Sequence, residues 1–576
     1  MAKRGGRVHV ATTRRHYKDK EYVTTLLRRS YREGGKVRNE TLANLSHLPP
    51  AAIDALRAVL AGRALVDADE HVRVARSLPH GHVAAVLGVL RDLDLERVLG
   101  RERCRERDLV VAMVCQRLIA PGSKLSATRR FGQTTLAEEL ALGEVTEAEL
   151  LGSLDWLGER QERIEATLAR RHLAPGGFVL YDLSSSYVEG RACPLAKLGY
   201  SRDATKGKLQ ITYGLICSPD GRPVAVRVHD GNTQDQQTLP SAVAAVTERF
   251  GIERVVFVGD RGMITSAHAD ALKAQGVGLL SALKAPQIRA LVDAGELQLS
   301  LFDQTNLAEI TSQRFPDERL IVCRNPAVAA ERARKRAELL AATETELDKV
   351  AAMVTGPRGS LRSADAGRIG ERVGRVANKH KMAKHFQLDI TDGHFAYQRK
   401  HPQIQAEAAL DGLYVLRSTV AQPDLASAAA VRAYKQLKLA ERAFRTLKDT
   451  LEIRPIYHHL EARVRAHVFL CMLAYYLSFE LRTRLTPLLF DDETPLAPTD
   501  PVAPAIRSPA ALTKAGSART RDGHPAHTLP DLLSELGTLC RNHLRIGTSH
   551  HTFTQLTEPT TLQARALELL DIKPAK

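Results

Sequence analysis

The chain has 576 residues, 44% of them hydrophobic, the composition of a soluble globular protein with room for roughly two to four domains. Lys and Arg total 82 against 66 Asp and Glu, a formal charge of +16, which points to an anionic partner and first of all to nucleic acid. The seven cysteines have no paired short spacing, which argues against a zinc ribbon and a disulfide framework and suits a reducing cytoplasm.

In chain order, residues 1–48 read as a basic, β-like region with a Gly34-Gly35 turn between short strands. The first 40 residues carry twelve Lys or Arg against four acids, and the polar start lacks a hydrophobic signal region, which argues against export. Residues 49–174 show apolar positions at three- and four-residue steps and form a helical region. After Pro121-Gly122, Lys124, Arg129 and Arg130 open a helix, either as a plain inter-helix loop or as a phosphate-contacting turn.

The texture changes at Pro175-Gly176-Gly177. FVLYDLS reads as a short strand ending at Asp182, followed by an exposed loop at Ser184-Ser185-Ser186. KLQITYGLICS and PVAVRVHDG flank the turn Pro219-Asp220-Gly221 as an antiparallel hairpin. RVVFVGD is a second buried strand, ending at Asp260, and GLLSAL a third after an intervening helix. This order predicts an α/β mixed sheet flanked by helices, whose binding site lies beyond the carboxyl ends of strands, where Asp182 and Asp260 stand.

Residues 285–410 read as an inserted α+β subdomain with a helical hairpin and a strand pair turning at Asp392-Gly393. LDGLYVLRS then returns to the sheet, its Asp411 taken as structural. In YKQLKLAERAFRTLKDTLEIRPIYH, Tyr434, Glu441 and Lys448 stand seven residues apart, so on one helix they share a stripe. Such a stripe is either a solvated helix face or one wall of a metal cleft. His458, His459 and His467 follow without a zinc spacing and read as helix-face or DNA-side residues. Val468 to Leu477 is an apolar run of about ten residues, short of the ~20 that span a bilayer, and reads as a core helix. Residues 487–528 have the Pro, Thr, Ala and Ser content of a flexible linker, with a last helix near 529–542.

At YDLSSSY around Asp182, VGDRGM around Asp260 and the late helix with Glu441, the chain resembles bacterial insertion-sequence transposases of the DDE type. It is similar to the group marked by the signature Y-x2-R-x3-E-x6-K, matched here by Tyr434, Glu441 and Lys448, with Leu437 at the arginine position. The resemblance, also carried by LGYSRDATKGKLQITYGL and HDGNTQD, covers about 180–480 and tolerates a separation of 181 positions from Asp260 to Glu441. It implies a ribonuclease-H-like core at 175–284 and 411–486. Asp182, Asp260 and Glu441 would bind Mg²⁺, with Mn²⁺ as a substitute, and Tyr434, Lys448, Lys438 and Arg445 would contact DNA. The implied activity is cleavage at terminal inverted repeats and joining of 3′-hydroxyls to target DNA, by a homodimer that pairs two ends. Two readings from other classes stay open: a non-catalytic DNA-binding derivative, which Leu437 keeps alive, and a metal-dependent nuclease without strand transfer.

Overall fold

A computed structural model describes residues 6–573 except 18–19, 64–71, 204, 206, 262, 264, 303–304, 357–359, 362 and 547–551. Ala204, Lys206 and Gly262 of the family-like segments thus lie outside the described residues. The chain divides into two compact units, one of residues 1–77 with 541–557 and 576, the other of 78–540 with 558–575.

In the first unit β1 (Arg7–Tyr17), β2 (Lys20–Glu33) and β3 (Lys36–Asn44) form an antiparallel sheet in chain order. Gly34 and Gly35 both take positive φ, 58° and 78°, which a two-residue turn between twisted strands requires. A second sheet joins β4 (Val72–Pro79) to β15 (Cys540–Ile546) and β16 (Thr552–Leu556). The sequence showed only a helix and tail there. CRNHLRI is mostly half-buried and TFTQL largely exposed, and both are too polar for an unbroken period-2 apolar pattern to mark them.

In the second unit, among the described residues, an eight-stranded mixed sheet runs in the order β10-β11-β14-β9-β8-β5-β6-β7. At its centre β5 (Phe178–Tyr187) pairs in parallel with β8 (Val256–Gly259), which pairs in parallel with β9 (Gly278–Ala282). β6 (Gln210–Cys217) and β7 (Pro223–Asp230) are the antiparallel hairpin, and β6 runs against β5. β14 (Leu413–Ser418), β11 (Arg319–Arg324) and β10 (Leu307–Ile310) extend the sheet by antiparallel pairing.

Three expectations change. First, β5 does not end at Asp182. Ser184, Ser185 and Ser186 are buried and continue the ladder with β6 to Tyr187, because their hydroxyls find partners: Ser186 Oγ lies 3.2 Å from the Tyr213 hydroxyl, and Ser185 Oγ accepts the Arg202 N–H at 2.9 Å. Second, RLIVC belongs to the main sheet as β11. What stands apart from that sheet is the helix pair Pro326–Thr355 and Ala366–Lys379 with the hairpin β12 (Phe386–Thr391) and β13 (His394–Arg399), which share a core of Leu347, Val350, Ile369, Val373, Phe386 and Phe395. Third, the stretch expected as a linker is tethered. The buried Lys514 ammonium donates to the carbonyls of Leu489 and Asp491 at 3.0 and 3.3 Å and to Glu493 at 2.8 Å, and Lys435 donates to the carbonyls of Pro501 and Ala503 at 2.6 Å. Side-chain bonds to main-chain carbonyls hold this segment, and composition does not reveal them.

The helix Glu461–Leu485 packs on Glu147–Glu159, Arg105–Ile119 and β7, so residues 78–174, set apart in the sequence reading, share a compact unit with the sheet. With the short turn that follows it, the stretch Glu461–Leu488 is long and apolar enough to cross a membrane, yet 89% of its apolar 18-residue part is buried inside the protein.

Against the central strand, Gly214 of β6 lies under the fully buried Tyr181 ring, and a Cβ there would meet Tyr181 Cε2 at 2.6 Å. Gly214→Ala is expected to overpack this contact, costing about 1–3 kcal/mol and lowering the melting temperature. Calorimetry checks this; an unchanged transition would show that Tyr181 has room to move.

Candidate active site

Parallel pairing of β5 and β8 sets Tyr181 opposite Gly259, so the next residue on each strand, Asp182 and Asp260, stands side by side where β8 ends. The helix Leu437–Arg445 packs on β5 and carries Glu441. Asp182, Asp260 and Glu441 line one cavity of about 380 Å³, together with Arg261, Tyr434, Leu437 and Lys438.

Burial, then the charges of Asp260 and Glu441, push the Asp182 carboxyl up to about 7, against the opposing effect of the Leu183 N–H that its Oδ1 accepts at 2.8 Å. Asp260 Oδ1 accepts the Arg261 N–H at 2.7 Å and the Tyr434 hydroxyl at 3.5 Å. Burial, and then Asp260, raise the Tyr434 phenol far above its usual range, so it stays a donor.

Three carboxylates on one cavity are hard oxygen donors of the kind Mg²⁺ and Mn²⁺ take. Among the described residues no group of three or more His, Cys, Asp or Glu is drawn close enough to hold an ion as it stands. The fit to a divalent cation therefore rests on donor chemistry and shared cavity, not on a preformed coordination shell.

The stripe does not stay on one face. Tyr434 belongs to the helix Ser427–Lys435, Glu441 to Leu437–Arg445, and Lys448 to a π-helical turn, Thr446–Thr450. That turn closes through the Leu451 N–H on the Thr446 carbonyl at 2.9 Å; its wider winding shifts the helical phase beyond Glu441. Tyr434, Glu441 and Lys438 face the carboxylate cavity, whereas Lys448 and the exposed Arg445 do not line it. Lys448 instead binds the buried Asp203 at 2.6 Å, and Asp203 also pairs with Arg454. Leu437, at the signature arginine position, is buried. Asp411 pairs with Arg336 and is absent from the lining of the cavity.

Asp203 escaped sequence reading, since an Asp in a polar loop carries no periodic signal.

Residues 191–477 match the family model of the transposase DDE domain, and residues 10–70 match that of the IS1634 family transposase, N-terminal domain. Asp260 and Glu441 fall within the first match, and Asp182 precedes it. No curated protein matches the chain. Among solved structures, a piggyBac transposase synaptic complex with hairpin DNA is similar at 8% identity and a TM-score of 0.33, covering 79% of this chain and 76% of that one, a likeness too weak to bear on the fold.

Removing the charge of Asp203 leaves Lys448 and Arg454 facing each other without their shared anion. Asp203→Asn should destabilise the protein by about 3 kcal/mol, the scale for breaking a buried pair at one partner. Denaturant unfolding measures it, and a loss below about 1 kcal/mol would mean that solvent takes over the carboxylate's role.

Proposed function

This chain belongs to the insertion-sequence transposases of the DDE type, and from that premise we propose that it cleaves DNA at its element's terminal inverted repeats and joins the freed 3′-hydroxyls to target DNA. The observation that carries the reading is the β5–β8 register, which sets Asp182 beside Asp260 on the cavity that Glu441 also lines. The core β7-β6-β5-β8-β9, with β5, β8 and β9 parallel and β6 reversed, supports a ribonuclease-H-like fold.

In this reading Asp182, Asp260 and Glu441 hold divalent cations, Mg²⁺ by preference with Mn²⁺ as substitute. Bound there, the ions would activate a water or 3′-hydroxyl and stabilise the leaving oxygen of an in-line displacement at phosphorus. The exposed Lys438 and Arg261, both lining the cavity, hold the scissile strand by its phosphates. Tyr434 stays protonated and orients Asp260. Lys448 positions the end through Asp203 and Arg454, and Arg445 contacts DNA outside the cavity.

The partner is DNA, and the charge of +16 supplies the attraction. Two ends must be brought together, so the working form is a homodimer, acting where bacterial DNA lies, in the cytoplasm. The domain division we propose is a basic β-like start at 1–48, a helical DNA-binding region at 49–174, a core at 175–284 and 411–486, and an insertion at 285–410 that lends β10 and β11 to the core sheet. Of the remainder, 487–540 and 558–575 belong to the compact unit of the core, and 541–557 to that of the N-terminal strands. The buried Leu437 favours one rival, a protein that occupies ends without cutting.

The test is Mg²⁺-dependent cleavage of a labelled duplex carrying the element's end, comparing native protein with Asp182→Asn and Glu441→Gln. Each variant should lose at least about 10²-fold in rate, the scale for deleting one preorganised charge-stabilising group, while still binding the end. Failure of native protein to cut a duplex that it binds would give the rival the case. A pre-nicked end supplied with target DNA then separates transposase from nuclease, because only strand transfer yields joined products.

A further inference from the structure

A second cavity, of about 400 Å³, lies in the same compact unit, and its lining does not include the three carboxylates. Arg117 and Lys124 from the early helices, and Arg454, His458, Arg463 and His467 from the segment after the π turn, line it, with Glu147 and Glu452 as its acids. Two of these cations differ from the rest. Arg463 is paired with Asp155 at 2.9 Å, and Arg454 with Asp203 and Asp449. Arg117 and Lys124 are buried, 5% and 6% exposed, and neither forms a salt bridge among the described residues.

Their contacts are with neutral groups. Arg117 Nη1 donates to the carbonyls of Leu451 and Glu452 at 3.3 and 3.1 Å. His467 Nε2 lies 3.0 Å from the Ile453 carbonyl, which takes its proton and leaves Nδ1 as the acceptor for the Lys124 ammonium at 3.3 Å. His467 is thus locked as a neutral imidazole. Burial and the nearby Lys124 and Arg117 hold His458 and His467 far below the usual imidazole range, and burial and Arg117 hold Lys124 down to about 7. A buried cation without an anion pays desolvation with no Coulombic return; Lys124 meets part of that by releasing its proton near neutral pH, and an anion entering beside Arg117 would restore its charge.

We propose that this cavity binds a phosphate group, held by Lys124 and Arg117 from one side and by Arg454 and Arg463 from the other. The guanidinium fork suits a tetrahedral oxyanion, and the ammonium adds a point charge. Arg454 also holds Asp203, which holds Lys448, so an occupant is linked through three charged side chains to the turn that follows Glu441. The source is either a backbone phosphate of bound DNA or free phosphate. The site needs no catalytic activity and stands independently of the carboxylate reading.

The test uses full-length protein and two probes, inorganic phosphate against chloride at equal ionic strength, and a duplex lacking any inverted repeat. Lys124→Met should fold, because it removes an uncompensated charge and keeps the chain length; Lys124→Arg keeps the charge as a second variant. Phosphate should raise the melting temperature of native protein and of Lys124→Arg, and Lys124→Met should lose the shift with about 10- to 100-fold in phosphate affinity. If the occupant is a DNA phosphate, Lys124→Met should also lower the slope of log affinity against log salt on the duplex by about one. Loss of the phosphate shift with that slope unchanged supports the site with free phosphate as occupant. A native protein whose melting temperature is the same in phosphate as in chloride, with a slope that Lys124→Met does not alter, overturns the proposal.

Discussion

The carboxylate cavity depends first on the parallel β5–β8 register, which makes the like-charged Asp182 and Asp260 neighbours. Two like charges about 4 Å apart in a protein surface environment cost roughly 4 kcal/mol. Each carboxylate accepts a main-chain N–H, and the proton is favoured on Asp182, first by burial and then by the charges of Asp260 and Glu441. Glu441 adds a third negative charge from a helix packed on the same strand. The central strand is thus fixed by apolar burial on both faces, and that burial forces acidic side chains together at the edge of the core.

The cations nearby are sorted into bound and free. Lys448 and Arg454 share Asp203, Arg202 pairs with Asp235, and Arg442 and Arg482 share Asp491. Lys438 has no salt bridge among the described residues and is exposed on the cavity. Charge that is already paired sets geometry, whereas unpaired charge next to three carboxylates is available to a phosphate backbone. A basic composition alone does not separate these two groups.

Much of the sheet was legible because its strands are apolar runs bounded by strong turns, as at Pro219-Asp220-Gly221. The two aspartates were legible for the same reason, as acids following buried runs, though β5 continues past Asp182 on serines whose hydroxyls are satisfied internally. The helical stripe was legible in period but not in phase, since a single π turn moves Lys448 off the face and no residue in TLKDT announces it. The tethering of 487–528 depends on Lys514 and Lys435 reaching carbonyls, a contact that residue type does not encode. Arg117 and Lys124 became distinct from other basic residues only when burial and missing partners could be seen together.

The helix Glu461–Leu485 has a consequence for how the protein comes into being. It is the common wall of the early helices and of β7, so those helices, made first on the ribosome, lack this packing surface until roughly 300–370 more residues have been added. Contacts of such sequence separation are closed late and slowly. During that interval Arg105–Ile119 and Glu147–Glu159 have each other to pack on but not this helix, and a chain interrupted before residue 461 never completes that layer. Chains that stop short leave that layer open to proteolysis, so the pool of folded protein consists of chains translated past residue 461, beyond both walls of the carboxylate cavity.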